Sequence, residues 1–331
     1  HQAKMKHLLW IEPERAYAGT PMVCEHPDWF LRSEYDRSRQ SFVLNLGCPD
    51  ALRWMTDFLS DWIRTNDVDC LRQDFNIDPS SFWDEADAPD RVGISEIRYI
   101  EGFYALWDEL LKRHPGLVID NCAGGGRRID IETLSRSIPL WRSDYQCSAK
   151  FDPVGAQVQM LGMSYWLPLH GGGTQCRPYD TYNFRSCLSA SVTFGLFPYE
   201  SCPPDPAYPF DWHRKMIADY KRTRPFFYGD YYPVFQCDAD NEKWAGYQMH
   251  RPDLDAGFLL TLRRGDSPFS AANIKLSGIS ESGVYQIQDA DTGRKKVCKA
   301  SDLLMDGWYV EMPERRSSRL YFYERKTPRG S

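Results

Sequence analysis

Several features that mark specialised classes of protein are missing from this sequence. Its apolar runs fall short of the roughly 18–20 residues that a membrane-spanning helix needs, so we expect no membrane partner. Lys and Arg number 40 against 46 Asp and Glu, a formal net charge of −6, and the basic residues are scattered, which argues against a nucleic-acid partner. The ten cysteines show neither a Cys-x-x-Cys pair nor the ligand spacing of a zinc site, so we expect free thiols and no metal or cofactor.

Motifs of two common enzyme classes are missing as well. The Gly-x-Ser-x-Gly motif of a nucleophilic serine does not occur. The glycine-rich stretch AGGGRRID, residues 123–130, is not followed by the Gly-Lys-Ser/Thr of a phosphate loop, so the signal for phosphate binding is weak. Its glycines fit either a tight turn or a loop whose backbone approaches a ligand closely.

What is present, up to about residue 228, is an alternation of strand-like and helix-like segments. The segments that favour strands are residues 6–14, 68–76, 116–122, 138–144, 165–173 (strand, then turn) and the second half of 184–200, and those that favour helices are residues 48–67, 94–115, 154–164 and 212–223. Repeated strand–helix units form a parallel sheet covered by helices. Carboxylates and other polar residues follow the strands at their C-terminal ends, which is typical of a (β/α)₈ TIM barrel.

The barrel segment is shorter than a complete barrel. We count six strands instead of eight, and 228 residues fall below the about 250 of a typical barrel. Residues 1–228 are therefore predicted to be a catalytic domain with strands 3 to 8, the first two strands lying outside this chain. Residues 229–331 contain short strands separated by turn residues, which predicts a C-terminal antiparallel β-sandwich domain that ends in a frayed tail, TPRGS.

Two of the predicted strands end in Arg-x-Asp, at residues 72–74 and 142–144. Side chains alternate along a strand, so Arg72 and Asp74 share one face. Two carboxylates facing each other across a barrel mouth suit glycoside hydrolysis, in which one attacks the anomeric carbon and the other protonates the leaving oxygen. Alternatively, each Asp pairs with the Arg of its own strand. Spacing alone leaves both interpretations open.

Three further residues at strand ends have two interpretations each. His170 precedes three glycines and either faces the pocket or has a structural role. Glu12 and Glu14 flank Pro13 at the predicted rim of the barrel, where each could bind sugar hydroxyls or form a salt bridge.

Seven motifs occur here in the order seen in one enzyme family: LLWIEPE, HPDW, VDCLRQDFN, DNCAGGGRRID, LWRSD, YWLPLHGGG and FGLFPYE. Along nearly its whole length the chain resembles the retaining α-galactosidases of glycoside hydrolase family 36. The resemblance implies that Asp74 is the nucleophile and Asp144 the general acid/base. It also implies that Arg72, Cys122, Gly124 and Gly125 lie against the sugar. We expect five further residues of these motifs to bind substrate: Trp10, Glu12, Asn76, Arg142 and His170. No cofactor is implied.

Departures from the family pattern leave the sugar open. Arg72 stands where the family has a sugar-binding Lys, Gln73 where it has Trp, and Arg127 where it has Gly. A planar guanidinium rearranges hydroxyl contacts relative to an ammonium. The expected partner is an oligosaccharide or glycoconjugate with a terminal α-galactose-type sugar. The alternatives are an α-N-acetylgalactosaminidase or α-galactosaminidase, a non-hydrolytic sugar-binding protein, and a phosphosugar enzyme. The sequence leaves homo-oligomer formation and the compartment undecided.

Overall fold

The computed structural model describes residues 1–36, 40–195 and 207–326, and the chain divides into two compact units, residues 1–143 and 144–331. The predicted tail TPRGS and the end of the predicted strand over 184–200 lie outside the described residues. The predicted domain boundary after residue 228 stays a prediction.

The first unit contains parallel strands, helices and a short antiparallel sheet. Its elements are β1 (Leu8–Ile11), β2 (Arg15–Tyr17), α1 (Pro21–Glu25), a 3-10 helix (Pro27–Trp29), β3 (Phe30–Leu31), β4 (Ser41–Leu44), α2 (Pro49–Thr65), β5 (Cys70–Gln73), α3 (Ser80–Asp84), α4 (Ile94–Arg113), β6 (Val118–Asn121) and α5 (Ile131–Leu134).

A parallel sheet in the order β1-β5-β6 carries the site residues of this unit. In its register Trp10 lies opposite Arg72, and Arg72 lies opposite Asp120. Helices α2 and α4 pack against each other. The apolar residues of α2 recur at helical spacing and are buried, which confirms the predicted helix there. Strand, helix and strand therefore follow each other as expected for part of a barrel.

A second sheet of this unit, β2-β4-β3, is antiparallel and was not predicted. Its strands are two to four residues long. Strands this short give almost no periodic signal in a sequence.

The second unit combines helices, two short parallel strands and a β-rich region. Its elements are a 3-10 helix (Asp144–Cys147), α6 (Pro153–Met163), β7 (Gly171–Gly173), α7 (Thr181–Ser186), β8 (Ser191–Thr193), α8 (Phe210–Thr223), a 3-10 helix (Arg224–Tyr228), β9 (Asp230–Pro233), β10 (Trp244–Arg251), β11 (Ala256–Arg263), β12 (Ala271–Ile274), β13 (Val284–Asp289), β14 (Lys295–Lys299), α9 (Ala300–Met305), β15 (Trp308–Glu311) and β16 (Ser317–Arg325).

Two predicted strands are wrong in detail. In the range 138–144, Ile138 forms a single parallel bridge to Asp120, and Asp144 begins a 3-10 helix. The Leu140 N–H donates to the Asp120 side chain, so the ladder does not continue. In the range 165–173 the order is reversed, because the three glycines predicted as a turn form β7, which pairs with β8 in parallel.

The β-rich region confirms the predicted antiparallel strands. Six strands pair in the order β14-β13-β16-β11-β10-β9, and β12 pairs with β15 in a second sheet. Buried side chains of both sheets, among them Leu259, Tyr285, Ile274 and Val310, form one hydrophobic cluster. The two sheets therefore share a core.

Three further observations concern the described residues as a whole. None of their helices is long and apolar enough to cross a membrane. No group of three or more His, Cys, Asp or Glu side chains among them is placed to hold a metal ion. Their nine cysteines are free thiols.

Candidate active site

Asp74 follows β5 directly and is held by donors from two neighbouring loops and one strand. The Trp10 indole Nε1 donates to Asp74 Oδ2 at 3.1 Å. The backbone N–H groups of Phe75 and Gly124 donate to Asp74 Oδ1 at 2.8 and 3.3 Å. Asp74 is 6% exposed, whereas the Trp10 side chain beside it is 50% exposed. The Asp74 carboxylate therefore has a fixed orientation and lies next to a solvent-exposed side chain.

Two opposing influences set the charge state of Asp74. Burial acts to raise its pKa. Hydrogen bonds from Trp10, the Phe75 amide, Asn76 and Cys122 outweigh burial, and the net pKa lies below its ordinary value. Asp74 is consequently an ionised carboxylate at neutral pH.

Backbone conformation brings the glycine-rich loop to Asp74. Gly124 and Gly125 have φ angles of +51° and +82°, which L side chains rarely adopt. A Cβ atom on Gly124 would also lie 3.0 Å from the Arg127 guanidinium. Glycine at position 124 thus leaves its N–H free to reach the Asp74 carboxylate.

Arg127 ties this loop to the one that follows β5. Its Nε donates to the Ala123 carbonyl at 3.0 Å, and one terminal nitrogen donates to the carbonyls of Phe75 and Ile77, each at 3.2 Å. These contacts explain why a long side chain stands at a loop position expected to hold glycine.

Arg72 does not form a hydrogen bond or ion pair with the aspartate of its own strand. Its guanidinium instead donates to Asp120 Oδ2 at 2.7 Å and to the Cys122 sulfur at 3.1 Å, both on β6 or just after it. The simple alternative, in which Asp74 pairs with Arg72, is therefore wrong. Burial raises the pKa of the Cys122 thiol to about 12, so Cys122 is a neutral group beside Asp74.

Glu12 and Asn76 lie together at the same end of the sheet. The Asn76 side chain donates to Glu12 Oε1 at 2.9 Å, and its backbone N–H lies 3.1 Å from Glu12 Oε2. Arg15 completes the group at 3.6 Å from Glu12. Glu12 therefore orients Asn76, which helps to lower the pKa of Asp74.

Gln73 points to the opposite face of β5 and belongs to a buried polar network. Its amide nitrogen donates to Glu14 at 2.8 Å, and its amide oxygen accepts from the Trp107 indole at 2.9 Å. Glu14 also accepts from the Tyr99 hydroxyl and pairs with Arg128 at 2.8 and 3.0 Å. Glu14 and Gln73 are fully buried, so Glu14 forms a salt bridge rather than a sugar contact.

The remaining predicted site residues lie at or beyond the end of the first unit. Arg142 is buried, and its carbonyl oxygen lies 2.4 Å from where a Cβ on Gly126 would stand, so only glycine fits there. In the second unit, Asp144 is exposed at the start of its 3-10 helix. His170 is buried just before β7, with Nε2 3.1 Å from the Ser164 hydroxyl, and its proposed sugar contact stays a prediction.

Asp120 belongs to the site although its position was not predicted from the sequence. This residue is 1% exposed and contacts Arg72. A signal did exist, since an acidic residue inside the apolar run GLVIDNC is costly unless it is paired. Alternation along β6 also places Asp120 and Cys122 on one face.

Comparison with known sequences gives consistent results. The sequence model of the family described as Melibiase matches residues 1–173. The chain is 23% identical over 320 residues to α-galactosidase 1 of Pediococcus pentosaceus, covering 93% of this chain and 42% of that protein. It is 31% identical over 144 residues to α-galactosidase C of Emericella nidulans, covering 43% of this chain and 18% of that protein.

Solved structures agree with the fold. The α-galactosidase of Lactobacillus brevis matches with a TM-score of 0.81 at 21% identity, over 100% of this chain and 46% of that one. The GH36 α-galactosidase AgaA of Geobacillus stearothermophilus, in complex with raffinose, matches with a TM-score of 0.79 at 18% identity, over 98% and 45%. At the level of a TIM barrel plus a β-rich domain, the predicted fold class is confirmed. The chain spans less than half the length of these two enzymes.

Proposed function

Because this chain belongs to the melibiase family, we propose that the protein is an α-galactosidase, a retaining exo-glycosidase that releases terminal α-galactose from oligosaccharides. The matched relatives are named α-galactosidases, and substituted variants of AgaA have been solved with raffinose and with stachyose. Because the chain spans less than half of those proteins, its activity and substrate are inferred from its residues and from the family together.

In the proposed reaction, the two aspartates act in a double displacement. A carboxylate oxygen of Asp74 attacks the anomeric carbon, the glycosidic bond breaks, and Asp144 gives its proton to the leaving oxygen. Asp144 then removes a proton from water, the water oxygen bonds to the anomeric carbon, and the ester to Asp74 breaks. Two inversions give net retention of configuration.

One observation carries this proposal: Asp74 is a charged, oriented carboxylate beside an exposed aromatic ring. Its two oxygens are held by the Trp10 indole and by backbone amides, and its pKa lies below the ordinary value because these donors outweigh burial. A nucleophile in this reaction must be ionised when the substrate arrives. The Trp10 ring offers an apolar surface to the sugar, and Arg72 offers donors for its hydroxyls.

The first test measures hydrolysis by the protein encoded by the natural gene. The substrates are para-nitrophenyl α-glycosides of galactose, N-acetylgalactosamine, galactosamine and glucose, with Asp74→Ala as the control variant. We expect release of nitrophenol from the galactoside, absent from the control. Turnover of only the amino or acetamido sugar would show that galactose is the wrong substrate assignment. Saturable binding of galactose without turnover would show that the protein is a sugar-binding protein and not an enzyme.

The role of Asp144 has its own test. Asp144→Gly is expected to hydrolyse the activated galactoside slowly, and added azide should restore the rate by taking the place of the water that Asp144 would activate. The expected product is α-galactosyl azide, because azide attacks the anomeric carbon of the β-linked intermediate from the face opposite to Asp74, and the ester bond to Asp74 breaks with a second inversion. A β-galactosyl azide product, which a single displacement would give if Asp144 were the nucleophile, or turnover equal to that of the parent, would contradict the assignment.

A further inference from the structure

Asp120 is a buried carboxylate that serves two parts of the candidate site at once. Its Oδ2 accepts from the Arg72 guanidinium at 2.7 Å, and its Oδ1 accepts from the Leu140 N–H at 2.8 Å. The residue is 1% exposed, so substrate does not reach it. Both oxygens are thus used within the protein, one by a side chain of the site and one by backbone.

The hydrogen bond between Asp120 and Arg72 fixes the position of the guanidinium. The guanidinium is fork-shaped and rigid, so a carboxylate on one terminal nitrogen determines the direction of the other. That other nitrogen lies 3.1 Å from the Cys122 sulfur. Arg72 is therefore held at two points, and its side chain stays only 16% exposed.

Cys122 also influences Asp74. The thiol is one of the groups that lower the pKa of the Asp74 carboxyl, because a donor beside a carboxylate favours its charged form. The Arg72 guanidinium thus contacts both the Asp120 carboxylate and the sulfur of a residue that helps to keep Asp74 charged.

We propose that Asp120 is a positioning residue of the active site, which holds Arg72 against Cys122 and in place for the sugar beside Asp74. The inference rests on the proposed function, because it assigns Arg72 to substrate. A purely structural salt bridge would give Asp120 the same partners, but its loss would then lower stability and leave KM unchanged. The two roles differ in how the effects of substitutions combine.

The test is a double-mutant cycle with Asp120→Asn and Arg72→Gln, read by kcat and KM on para-nitrophenyl α-galactoside. Asn keeps an oxygen for the Leu140 N–H and removes the charge that holds Arg72. We expect Asp120→Asn to lower kcat/KM by about 10- to 100-fold, the size expected for a hydrogen bond to a charged group, mostly through KM. The double variant should be no worse than Arg72→Gln alone. Losses that multiply would overturn the proposal.

A matched control breaks another aspartate–arginine pair of the same unit. Asp108 accepts from Arg136 at 2.7 and 3.1 Å on the surface. Asp108→Asn should leave kcat and KM unchanged. An equal loss in Asp108→Asn and Asp120→Asn would show that any such pair matters only for the fold, and would overturn the proposal.

Failure of this inference and failure of the proposed function give different results. If the parent protein hydrolyses none of the glycosides, the function is wrong, and the cycle is then read by equilibrium unfolding in urea. Non-additive changes in unfolding midpoint would still support the Asp120–Arg72 contact, and additive ones would refute it. If Asp120→Asn does not fold, Asp120→Glu provides the test: the longer side chain keeps the charge and moves the Arg72 guanidinium, so KM should rise, and an unchanged KM in the folded variant would refute the positioning role.

Discussion

The two faces of strand β5 both carry polar side chains, but these side chains have different surroundings. On one, which we call the site face, lie Arg72 and, just past the strand end, Asp74; on the other, the closed face, lies Gln73. The closed face meets Glu14, which is fully buried like Gln73, whereas the site face meets Trp10, whose ring is half exposed. Paired polar groups occur on both faces. What distinguishes the site is therefore the open surface beside the pair, and not the presence of charge at a strand end.

The strongest test of this difference is Asp74→Asn on the site face. Asn keeps the shape and an oxygen for the backbone donors but cannot attack the anomeric carbon. We expect kcat for the galactoside to fall by about 10⁴-fold or more, with the thermal unfolding midpoint nearly unchanged. A variant that unfolds more easily and keeps its turnover would mean that Asp74 contributes to stability and not to the reaction.

Glu14→Gln on the closed face should show the reverse pattern. The substitution leaves the Arg128 guanidinium largely buried without its counter-charge, and breaking one partner of a buried pair typically costs about 3–5 kcal/mol of unfolding free energy. The measurement is urea unfolding. Any loss of kcat at a temperature where the variant is folded should be small, and a large one would mean that the closed face takes part in the reaction.

Gln73→Leu tests the closed face with a smaller change. The Trp107 indole and one Glu14 oxygen lose a partner, while Arg128 and Tyr99 still bind Glu14. An unsatisfied buried donor costs about 1–3 kcal/mol, so the free energy of unfolding should fall by that amount. A stabilised variant would show that the network contributes less than good apolar packing at this position.

Much of this contrast follows from the sequence, and part of it does not. The alternation along VDCLRQDFN correctly separates Arg72 and Asp74 from Gln73 because side-chain direction in a strand has period two. The partners could not be predicted, since Glu14 and Arg128 are more than a hundred residues apart in the chain. Spacing also left open whether Arg72 pairs with Asp74, and only the register of β5 with β6 shows that Arg72 meets Asp120 instead.

The pattern was least informative where strands are short or made of glycine. The strand predicted over 138–144 reduces to one bridge at Ile138, and Gly171–Gly173 form a strand that their composition predicts as a turn. Local propensity does not predict the observed structure of either segment, because pairing with a neighbouring strand determines which residues form a strand.

Arg127→Gly restores the glycine expected in the loop and removes three contacts to backbone carbonyls. The Gly124 amide would then be held less firmly against Asp74. We expect a loss of kcat/KM of about tenfold or less, since each contact is a single hydrogen bond near the surface. Measuring KM separately from kcat tells whether the loop serves binding or the reaction, and an unchanged kcat/KM would mean that Gly124 needs no such support.

The smallest expected effect comes from Trp10→Phe, which keeps an aromatic ring and removes the donor to Asp74 Oδ2. Burial and hydrogen bonding oppose each other at Asp74, so losing one donor should raise its pKa toward the ordinary carboxyl value. The nucleophile must be ionised, and the acid limb of the kcat/KM profile should therefore move to higher pH, with little change near neutrality.

The same substitution has a consequence for stability with a fixed sign. A pKa lowered in the folded state contributes stability that is present above the unfolded value and is lost as pH falls through the folded value. Trp10→Phe brings the two values closer together, so the variant should lose less stability than the parent between neutral and acidic pH. The thermal unfolding midpoints of the parent and the variant, each measured at neutral and at acidic pH, give this difference. If Trp10→Phe changes neither the acid limb of the kcat/KM profile nor the loss of stability at acidic pH, the backbone amides of Phe75 and Gly124, rather than the exposed ring, keep Asp74 charged.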